Sequence, residues 1–268
     1  MAINLKMPLK KNLLSVPGVR IASLSAGLKE KNRKDLMLMV FDDGTLVSGT
    51  FTQNKFCAAP VVVSKNHLKS TNAIKALIVN TGSANAGNGD RGIEDAESIC
   101  EHLAEALEVR PDQVLPFSTG IIMTPIPAGK IIKSIPNLIK GLEVDNWLAA
   151  AEAIMTTDTI PKAKSKSILI EDQKVTITGI SKGSGMIHPN MATMLAFIST
   201  DANISQEILQ KLNKEIADTT FNCISVDGDT STNDSFICVA TNQSRHSKIV
   251  EENNNYKILK SGIFDIAL

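Results

Sequence analysis

The sequence of 268 residues is poor in aromatic side chains and has no excess of either charge. One Trp, one Tyr and eight Phe make up 4% of the chain, so it lacks the aromatic platform on which nucleic-acid bases stack. Lys plus Arg and Asp plus Glu both number 28, so no overall field attracts nucleic acid or an anionic membrane surface. These absences predict no nucleic-acid partner and no membrane partner, and they confine any ligand to a local site.

Long apolar runs are also absent. No stretch approaches 18 consecutive apolar residues, and the first twenty residues are not followed by the apolar core of a signal peptide. Cys57, Cys100, Cys223 and Cys238 form no CxxC pair, and each has apolar neighbours, which is typical of reduced core cysteines. We therefore expect a cytoplasmic protein.

The chain does have enough hydrophobic residues, 43%, for one large or two modest domains with a core. Runs of β-forming residues predict strands at 36–41, 46–51 and 61–63, with hairpin-like spacing. Further strands are predicted at 76–80, 167–170, 175–180, 191–198, 222–226 and 236–240, and residues 115–125 are either a strand or another buried segment. Apolar periodicity predicts helices at 93–107, 128–140, 146–155, after Ser205 and at 257–268. Because strands and helices do not alternate as βαβ units, we expect an α/β fold, a layered α/β/β/α-type sandwich with mostly antiparallel sheets.

The most informative segment is KGSGMIHPNMATMLAFISTDA, residues 182–202. It places the hydroxyl of Thr193 at the mouth of an apolar strand, although a Thr that simply begins a strand is the ordinary interpretation. A Thr hydroxyl needs a base, and its own α-amino group, with a pKa of about 7.7–8, serves when the preceding peptide bond is cleaved. No histidine is then required, so His188 either assists the reaction or is a solvent-facing or packing residue.

Five segments together carry a family resemblance. They are ALIVNTGSANAG (76–87), LPFSTGII (115–122), AIMTTDTIPK (153–162), residues 182–202 and VDGDTSTNDS (226–235). In this order they resemble the ornithine acetyltransferases of arginine biosynthesis, also called glutamate N-acetyltransferases. The resemblance implies an autoprocessed acyltransferase that breaks between Ala192 and Thr193 into an α chain, 1–192, and a β chain, 193–268.

The resemblance also implies roles for single residues. Thr193 would be the nucleophile, and Thr119 with Gly120 would form the oxyanion hole. Thr157, Lys182 and Thr193 would bind substrate, since a cation and hydroxyl donors suit a carboxylate. Without the resemblance, Thr119 and Gly120 predict a tight turn, Lys182 a surface lysine and Thr157 a helix end.

The implied reaction moves the acetyl group of N-acetylornithine to glutamate through an acetyl-threonine intermediate. It needs no cofactor and no metal, and acetyl-CoA enters as a co-substrate only if the enzyme is bifunctional. The implied assembly is a heterotetramer of two α and two β chains.

Two loops resemble a calcium-binding loop and a phosphate-binding loop, respectively. Asp227, Asp229, Ser231 and Asn233 alternate as in a calcium loop, but the Gly at loop position 6 is missing and Cys238 occupies the position of the required Glu. The glycine-rich stretch 87–92 lacks the GK[ST] of a phosphate-binding loop. We predict neither a metal nor a nucleotide.

One departure from the family concerns length. After the 226–235 segment the resemblance predicts an Arg-Asp-Gly-Glu-Gly segment with a substrate-binding Glu, and later an Asn, and this sequence contains neither. We therefore expect an incomplete β chain. The alternatives to the acetyltransferase are a catalytically dead, truncated remnant and a related self-cleaving amidase or aminopeptidase.

Overall fold

The computed structural model describes residues 6–29, 33–185, 194–224 and 230–268. Within these ranges the chain forms nine strands and six α-helices. The strands are β1 (Val19–Leu24), β2 (Leu36–Phe41), β3 (Leu46–Phe51), β4 (Ala76–Ser83), β5 (Val114–Ile121), β6 (Lys162–Ile170), β7 (Gln173–Lys182), β8 (Leu195–Thr200) and β9 (Ser235–Ala240). The helices are α1 (Ala59–Ser70), α2 (Gly89–Leu107), α3 (Ala128–Lys140), α4 (Trp147–Ala153), α5 (Gln206–Thr219) and α6 (Asn254–Ala267).

The strands form two sheets. The first has the order β1-β2-β4-β5 and the second the order β3-β9-β8-β7-β6. The pairs β4–β5 and β8–β9 are parallel, and the other five pairs are antiparallel. The prediction of mostly antiparallel sheets is therefore confirmed.

The sheets face each other across a shared core, and helices cover both outer faces. Phe117 of β5 and Phe197 of β8 meet edge-on in that core, with ring centroids 5.2 Å apart. Helices α2 and α3 pack on the outer face of the first sheet, and α5 and α6 pack on that of the second. All six residues of β2 are buried, as its uninterrupted apolar sequence requires for a strand covered on both sides. The four layers confirm the predicted α/β/β/α sandwich.

Three local predictions are wrong. Val61–Val63 lies in α1, because Pro60 starts a helix that packs on β5, where the Ser64 hydroxyl donates to the Pro116 carbonyl at 2.8 Å. Strands β2 and β3 do not form a hairpin, because β3 pairs with β9 in the other sheet. In the predicted strand 222–226, the described residues instead continue α5 through a 3-10 turn, Phe221–Cys223, that packs Phe221 on Phe236.

Strand β1 was not predicted from the sequence, and the remaining elements agree in type with the predictions but differ at their ends. Strand β4 continues to Ser83, and α2 begins at Gly89, before the predicted start. Ser205 caps α5 by accepting a hydrogen bond from the Ile208 N–H at 3.4 Å. All four cysteines are free thiols, but only Cys100 and Cys238 are buried, and the prediction of a core position is wrong for exposed Cys223.

Candidate active site

The predicted site residues that the structure describes lie at one end of the two sheets. Strands β4, β5 and β7 end there, while β8 and β9 begin there. In the second sheet Lys182, Leu195 and Ser235 are neighbours across three adjacent strands. We call this end of the two sheets the site end. The opposite end, where β8 and β9 finish, is called the distal end.

Thr119 and Gly120 lie near the end of β5, beside Thr81 and Gly82 of β4. Gly120 has a φ of +142°, and an added Cβ would lie 2.5 Å from the carbonyl oxygen of Gly82. The position therefore accepts only glycine. The Thr119 side chain is buried, and none of the described residues forms a hydrogen bond with its hydroxyl. An unpaired hydroxyl beside a glycine backbone suits an oxygen that gains negative charge.

Asn233 ties the strand of Thr119 to the second sheet. Its side-chain amide donates to the carbonyl oxygens of Ser118 at 2.9 Å and of Ala84 at 2.6 Å. The Ser118 hydroxyl in turn donates to the Asn80 side chain at 2.5 Å. These hydrogen bonds fix the backbone next to Thr119, a role that the sequence did not predict for Asn233.

Lys182, the last residue of β7, is buried with only 3% of its surface exposed. The interpretation of Lys182 as a surface lysine, made from its residue type alone, is therefore wrong. Its ammonium donates to the Thr156 hydroxyl at 3.1 Å. Burial lowers the pKa of Lys182, while the nearby carboxylates of Asp158 and Asp234 oppose that shift. A buried cation that finds one hydroxyl acceptor among the described residues has unused capacity for an anionic ligand.

Asp158 organises the loop before β6 around Lys182. Its carboxylate accepts hydrogen bonds from the N–H groups of Gly183 at 2.8 Å and Thr156 at 3.3 Å, and it pairs with Lys162. Burial raises the pKa of Asp158, but these donors outweigh it and hold the pKa below its usual value. The carboxylate is therefore ionised at neutral pH. Asp158 stands within a recognised segment, TTDTIPK, but the sequence does not show that its side chain points inward.

Thr157 follows at the surface of the same loop. Its hydroxyl lies 2.5 Å from the hydroxyl of Ser184, and one of the two groups donates to the other. The pair therefore retains one proton that can be donated to a ligand. Ser184 was not among the predicted site residues, although it lies in the most informative segment.

Asp234 immediately precedes β9 and is fully buried. Its Oδ1 accepts the N–H of Met194 at 2.8 Å, and the Ser235 N–H donates to the Met194 carbonyl at 3.0 Å. No described residue meets the geometric criteria for a hydrogen bond with its Oδ2, although the nearby Ser231 hydroxyl favours the ionised carboxylate. Burial raises the pKa of the Asp234 carboxyl to about 7. The sequence signal was its place in the alternating acidic loop, which had pointed to calcium instead.

A cavity of about 280 Å³ opens beside these residues. Lys162, Lys182, Ser184 and Met194 contribute to its lining. The cavity joins the predicted substrate-binding lysine to the residue that follows the predicted nucleophile.

Ala192, Thr193 and His188 lie outside the described residues, so the structure locates neither the predicted nucleophile nor the cleavage site. The described residues do bring the other predicted positions together. Hydrogen bonds link Ser118, next to Thr119, through Asn233 to the loop of Asp234, and from there to Met194. In the part of the chain that the structure describes, no three His, Cys, Asp or Glu side chains are grouped to hold a metal ion. No helix among these residues is long and apolar enough to cross a membrane.

The fold of this chain is similar to that of a solved structure with which it shares little sequence. The L-aminopeptidase D-Ala-esterase/amidase of Ochrobactrum anthropi, described as a variant of the Ntn hydrolase fold, aligns with 99% of this chain and 86% of its own, at a TM-score of 0.56. The sequences are only 8% identical, so the likeness concerns the fold alone.

Sequence comparison gives the family. The model of the ArgJ family matches residues 20–267, and the chain belongs to that family. The arginine biosynthesis bifunctional protein ArgJ of Colwellia psychrerythraea is 48% identical over 264 residues, which are 95% of this chain and 62% of the relative. Its namesake in Neisseria gonorrhoeae is 49% identical over 250 residues, which are 93% and 61% of the two chains. The chain thus spans a little over three fifths of these relatives.

Two solved structures are similar to this chain in both sequence and fold. The bifunctional ArgJ protein of Bacillus halodurans is 35% identical, with a TM-score of 0.60 over 66% of this chain and 92% of its own. The ornithine acetyltransferase of Mycobacterium tuberculosis, solved in complex with ornithine, is 26% identical, with a TM-score of 0.59 over 71% and 99% of the two chains.

Proposed function

We propose that this chain provides the nucleophile and the oxyanion hole of an acetyltransferase that moves the acetyl group of N-acetylornithine to glutamate. The observation that carries the proposal is the close similarity to proteins named for arginine biosynthesis along 95% of the chain. The meeting of Lys182, Gly120 and the strand of Thr119 at one end of the sheets supports it.

The first step is cleavage of the chain. The Thr193 hydroxyl attacks the carbonyl of Ala192, the acyl group moves from nitrogen to oxygen, and water releases the ester. The products are the part of the chain that ends at Ala192 and the part that begins at Thr193 with a free α-amine. The small side chain of Ala192 leaves room for this attack.

The second step is acetyl transfer. The Thr193 α-amine takes the hydroxyl proton while the Oγ attacks the acetyl carbonyl, and the proton passes to the departing ornithine nitrogen. Thr119 and Gly120 donate to the oxyanion, and loss of one such donor typically lowers the rate roughly 10²- to 10³-fold. The amino group of glutamate then attacks the acetyl ester and restores the threonine. Lys182 and Thr157 bind substrate carboxylates.

The processed chains assemble as two α and two β chains, and the reaction takes place in the cytoplasm without a cofactor. Acetyl-CoA is a second acetyl donor if the chain shares the bifunctional character for which its relatives are named.

The test uses the full chain and Thr193→Ala. Mass spectrometry of the purified wild-type protein should show two fragments, the second beginning at Thr193. Incubation with N-acetylornithine and isotope-labelled glutamate should give labelled N-acetylglutamate. Thr193→Ala should remain uncleaved and form at least roughly 10³-fold less product, since the nucleophile is gone.

Thr71→Ala is the matched control, because Thr71 follows α1 and lies near the distal end, where β4 begins. It should be cleaved and active. Scission or acetyl transfer that survives in Thr193→Ala would overturn the proposal. Release of free acetate without labelled product would indicate the amidase alternative instead.

A further inference from the structure

Lys29 lies in the loop that follows β1, and the side chain of Asp35 holds this loop at the site end. The Asp35 carboxylate accepts hydrogen bonds from the N–H groups of Ala26 at 2.6 Å, Leu28 at 2.7 Å and Lys29 at 3.1 Å. Asp35 immediately precedes β2 and is fully buried. Because three donors share one buried carboxylate, the fold itself fixes the position of Lys29.

The stem of the Lys29 side chain lies beside Gly82, near the end of β4. A Cβ added at Gly82 would lie 3.5 Å from Cγ of Lys29. Gly82 is the neighbour of Gly120 across the β4–β5 pair. The side chain of Lys29 therefore starts next to the predicted oxyanion hole.

The ammonium groups of Lys29 and Lys182 bind adjacent residues of one loop. Lys29 donates to the carbonyl oxygen of Met155, and Lys182 donates to the hydroxyl of Thr156 at 3.1 Å. The two lysines come from different sheets, one from the loop after β1 and the other from the end of β7. They meet at the loop that follows α4. Two groups of like charge are thus held close together.

Neither ammonium is paired with a carboxylate among the residues that the structure describes, where no salt bridge includes Lys29 or Lys182. Burial is the main cause that lowers the pKa of Lys29 to about 8, and Arg33 and Lys182 act in the same direction. Asp35 and Asp158 act against this shift, but both carboxylates already accept hydrogen bonds from backbone N–H groups. An ammonium has three donors, so both lysines retain donors for an anion.

We propose that Lys29 is a specificity-determining residue that forms, together with Lys182, a two-cation site for the α-carboxylate of the amino-acid substrates. N-acetylornithine and glutamate share this carboxylate, whereas their side chains carry opposite charges, so a pair of cations suits the group that they have in common. One carboxylate between the two ammonium groups pairs both charges and offsets their mutual repulsion. The inference rests on the proposed function, and Lys29 lies outside the five segments that carry the family resemblance.

Lys29→Met removes the charge but keeps an unbranched stem beside Gly82, whereas Lys29→Arg keeps the charge. The matched control is Lys130→Met. Lys130, on α3, is exposed and donates to the Gly27 carbonyl at 3.0 Å, so it ties the same loop to its surroundings without contacting Met155. If Lys29 only held its loop in place, its replacement and that of Lys130 would have similar effects.

Substrate pairs that differ only in the α-carboxylate test the proposal on the full chain. N-acetylornithine and N-acetylputrescine are the acetyl donors, and glutamate and 4-aminobutyrate are the acceptors. Lys29→Met should lower kcat/KM for N-acetylornithine and for glutamate roughly 10- to 100-fold, mainly through KM, because a charge-assisted hydrogen bond is lost. The values for the two substrates without the carboxylate should not change. Lys29→Arg should recover most of the loss, and Lys130→Met should behave as wild type.

Calorimetric titration with ornithine and with putrescine gives a second measurement, which requires no turnover. Wild type should bind ornithine roughly 10- to 100-fold more tightly than Lys29→Met does, and Lys130→Met should match wild type. Binding of putrescine, which lacks the carboxylate, should be the same in all three proteins.

The outcomes separate the two proposals. If the wild-type chain is neither cleaved nor active, the proposed function fails and the role of Lys29 fails with it. If wild type is active but Lys29→Met loses rate equally with and without the α-carboxylate, or binds ornithine as wild type does, only the role of Lys29 is overturned. A loss that Lys130→Met shares would reduce Lys29 to an anchor of its loop.

Discussion

Two buried aspartates mark the two ends of β8, and their surroundings differ. Asp201, at the distal end, accepts the Thr176 N–H, and the charges of Lys174 and His246 act against the rise in its pKa that burial causes. Asp234, at the site end, has one oxygen without a hydrogen-bond partner among the described residues, and burial raises its pKa to about 7 against the Met194 N–H, the Ser231 hydroxyl and the charge of Lys182. At the distal end two basic side chains lie near the buried Asp201 carboxyl. At the site end one oxygen of Asp234 can still accept a hydrogen bond.

The largest difference in stability between the two ends should appear when one glycine at each end is replaced by alanine. Gly120→Ala at the site end places a methyl group against the Gly82 backbone in a left-handed conformation, so we expect a loss of about 3–5 kcal/mol in the free energy of unfolding. Gly44→Ala, in the turn at the distal end, has a φ of +81° but open space, and should cost only about 1 kcal/mol. Urea unfolding measures both, and equal losses would show that the close approach of β4 and β5 carries no strain.

The second test concerns pH and the two aspartates, in an uncleavable Thr193→Ala background. A raised pKa means that the folded state holds a proton which the unfolded chain releases near pH 3.9. The contribution of Asp234 to stability is therefore present at low pH and is lost as the pH rises from about 4 to about 7. Asp234→Asn should reduce this loss by about 2–3 kcal/mol in urea titrations at pH 4 and pH 8.

Asp201→Asn is the companion variant at the distal end. Burial raises the pKa of Asp201 as well, so the change should have the same sign, but the nearby basic side chains should make it smaller. A larger effect at Asp201 would remove the contrast between the two ends.

The smallest loss of stability should follow replacement of Asn233, or of its counterpart Asn213, by alanine. Asn213 is buried too, and its amide donates to the carbonyls of Phe236 at 3.3 Å and Ser48 at 3.5 Å. Replacing either residue by Ala should cost about 1–2 kcal/mol, because buried carbonyls lose their donors. Only Asn233→Ala should also lower acetyl transfer, since it loosens the strand of Thr119. Equal loss of transfer in both variants would make Asn233 an ordinary core residue.

The sequence predicted the parts of the fold that depend on local pattern. The apolar stripe of α2, the cap at Ser205 and the β6–β7 hairpin are each encoded within a few residues. Val61–Val63 was mispredicted because β-branched residues favour strands, whereas Pro60 and packing on β5 favour a helix. The pairing of β3 with β9 joins residues almost two hundred positions apart, and no local pattern encodes it.

The site was predictable only where a recognised segment contained it. Thr119, Gly120, Thr157 and Lys182 were identified through the family resemblance, and their roles remain predictions. The burial of Lys182 and the anchoring of Asp158 were not predictable, because the partners of Lys182 and Gly183 come from the loop at 156–158. The burial of Asp234 is likewise a property of the assembled sheet.

The order of strands in the second sheet determines how a cleaved molecule would hold together. Strands β3, β6 and β7 precede residue 193, while β8 and β9 follow it, and the pairs β7–β8 and β3–β9 cross that point. After scission the fragments would share one hydrogen-bonded sheet with its strands interleaved, so neither could leave without exposing apolar edges. Refolding would then become a bimolecular process that slows on dilution. Before cleavage the sheet can form within one chain, whereas after cleavage it can form only when two fragments associate.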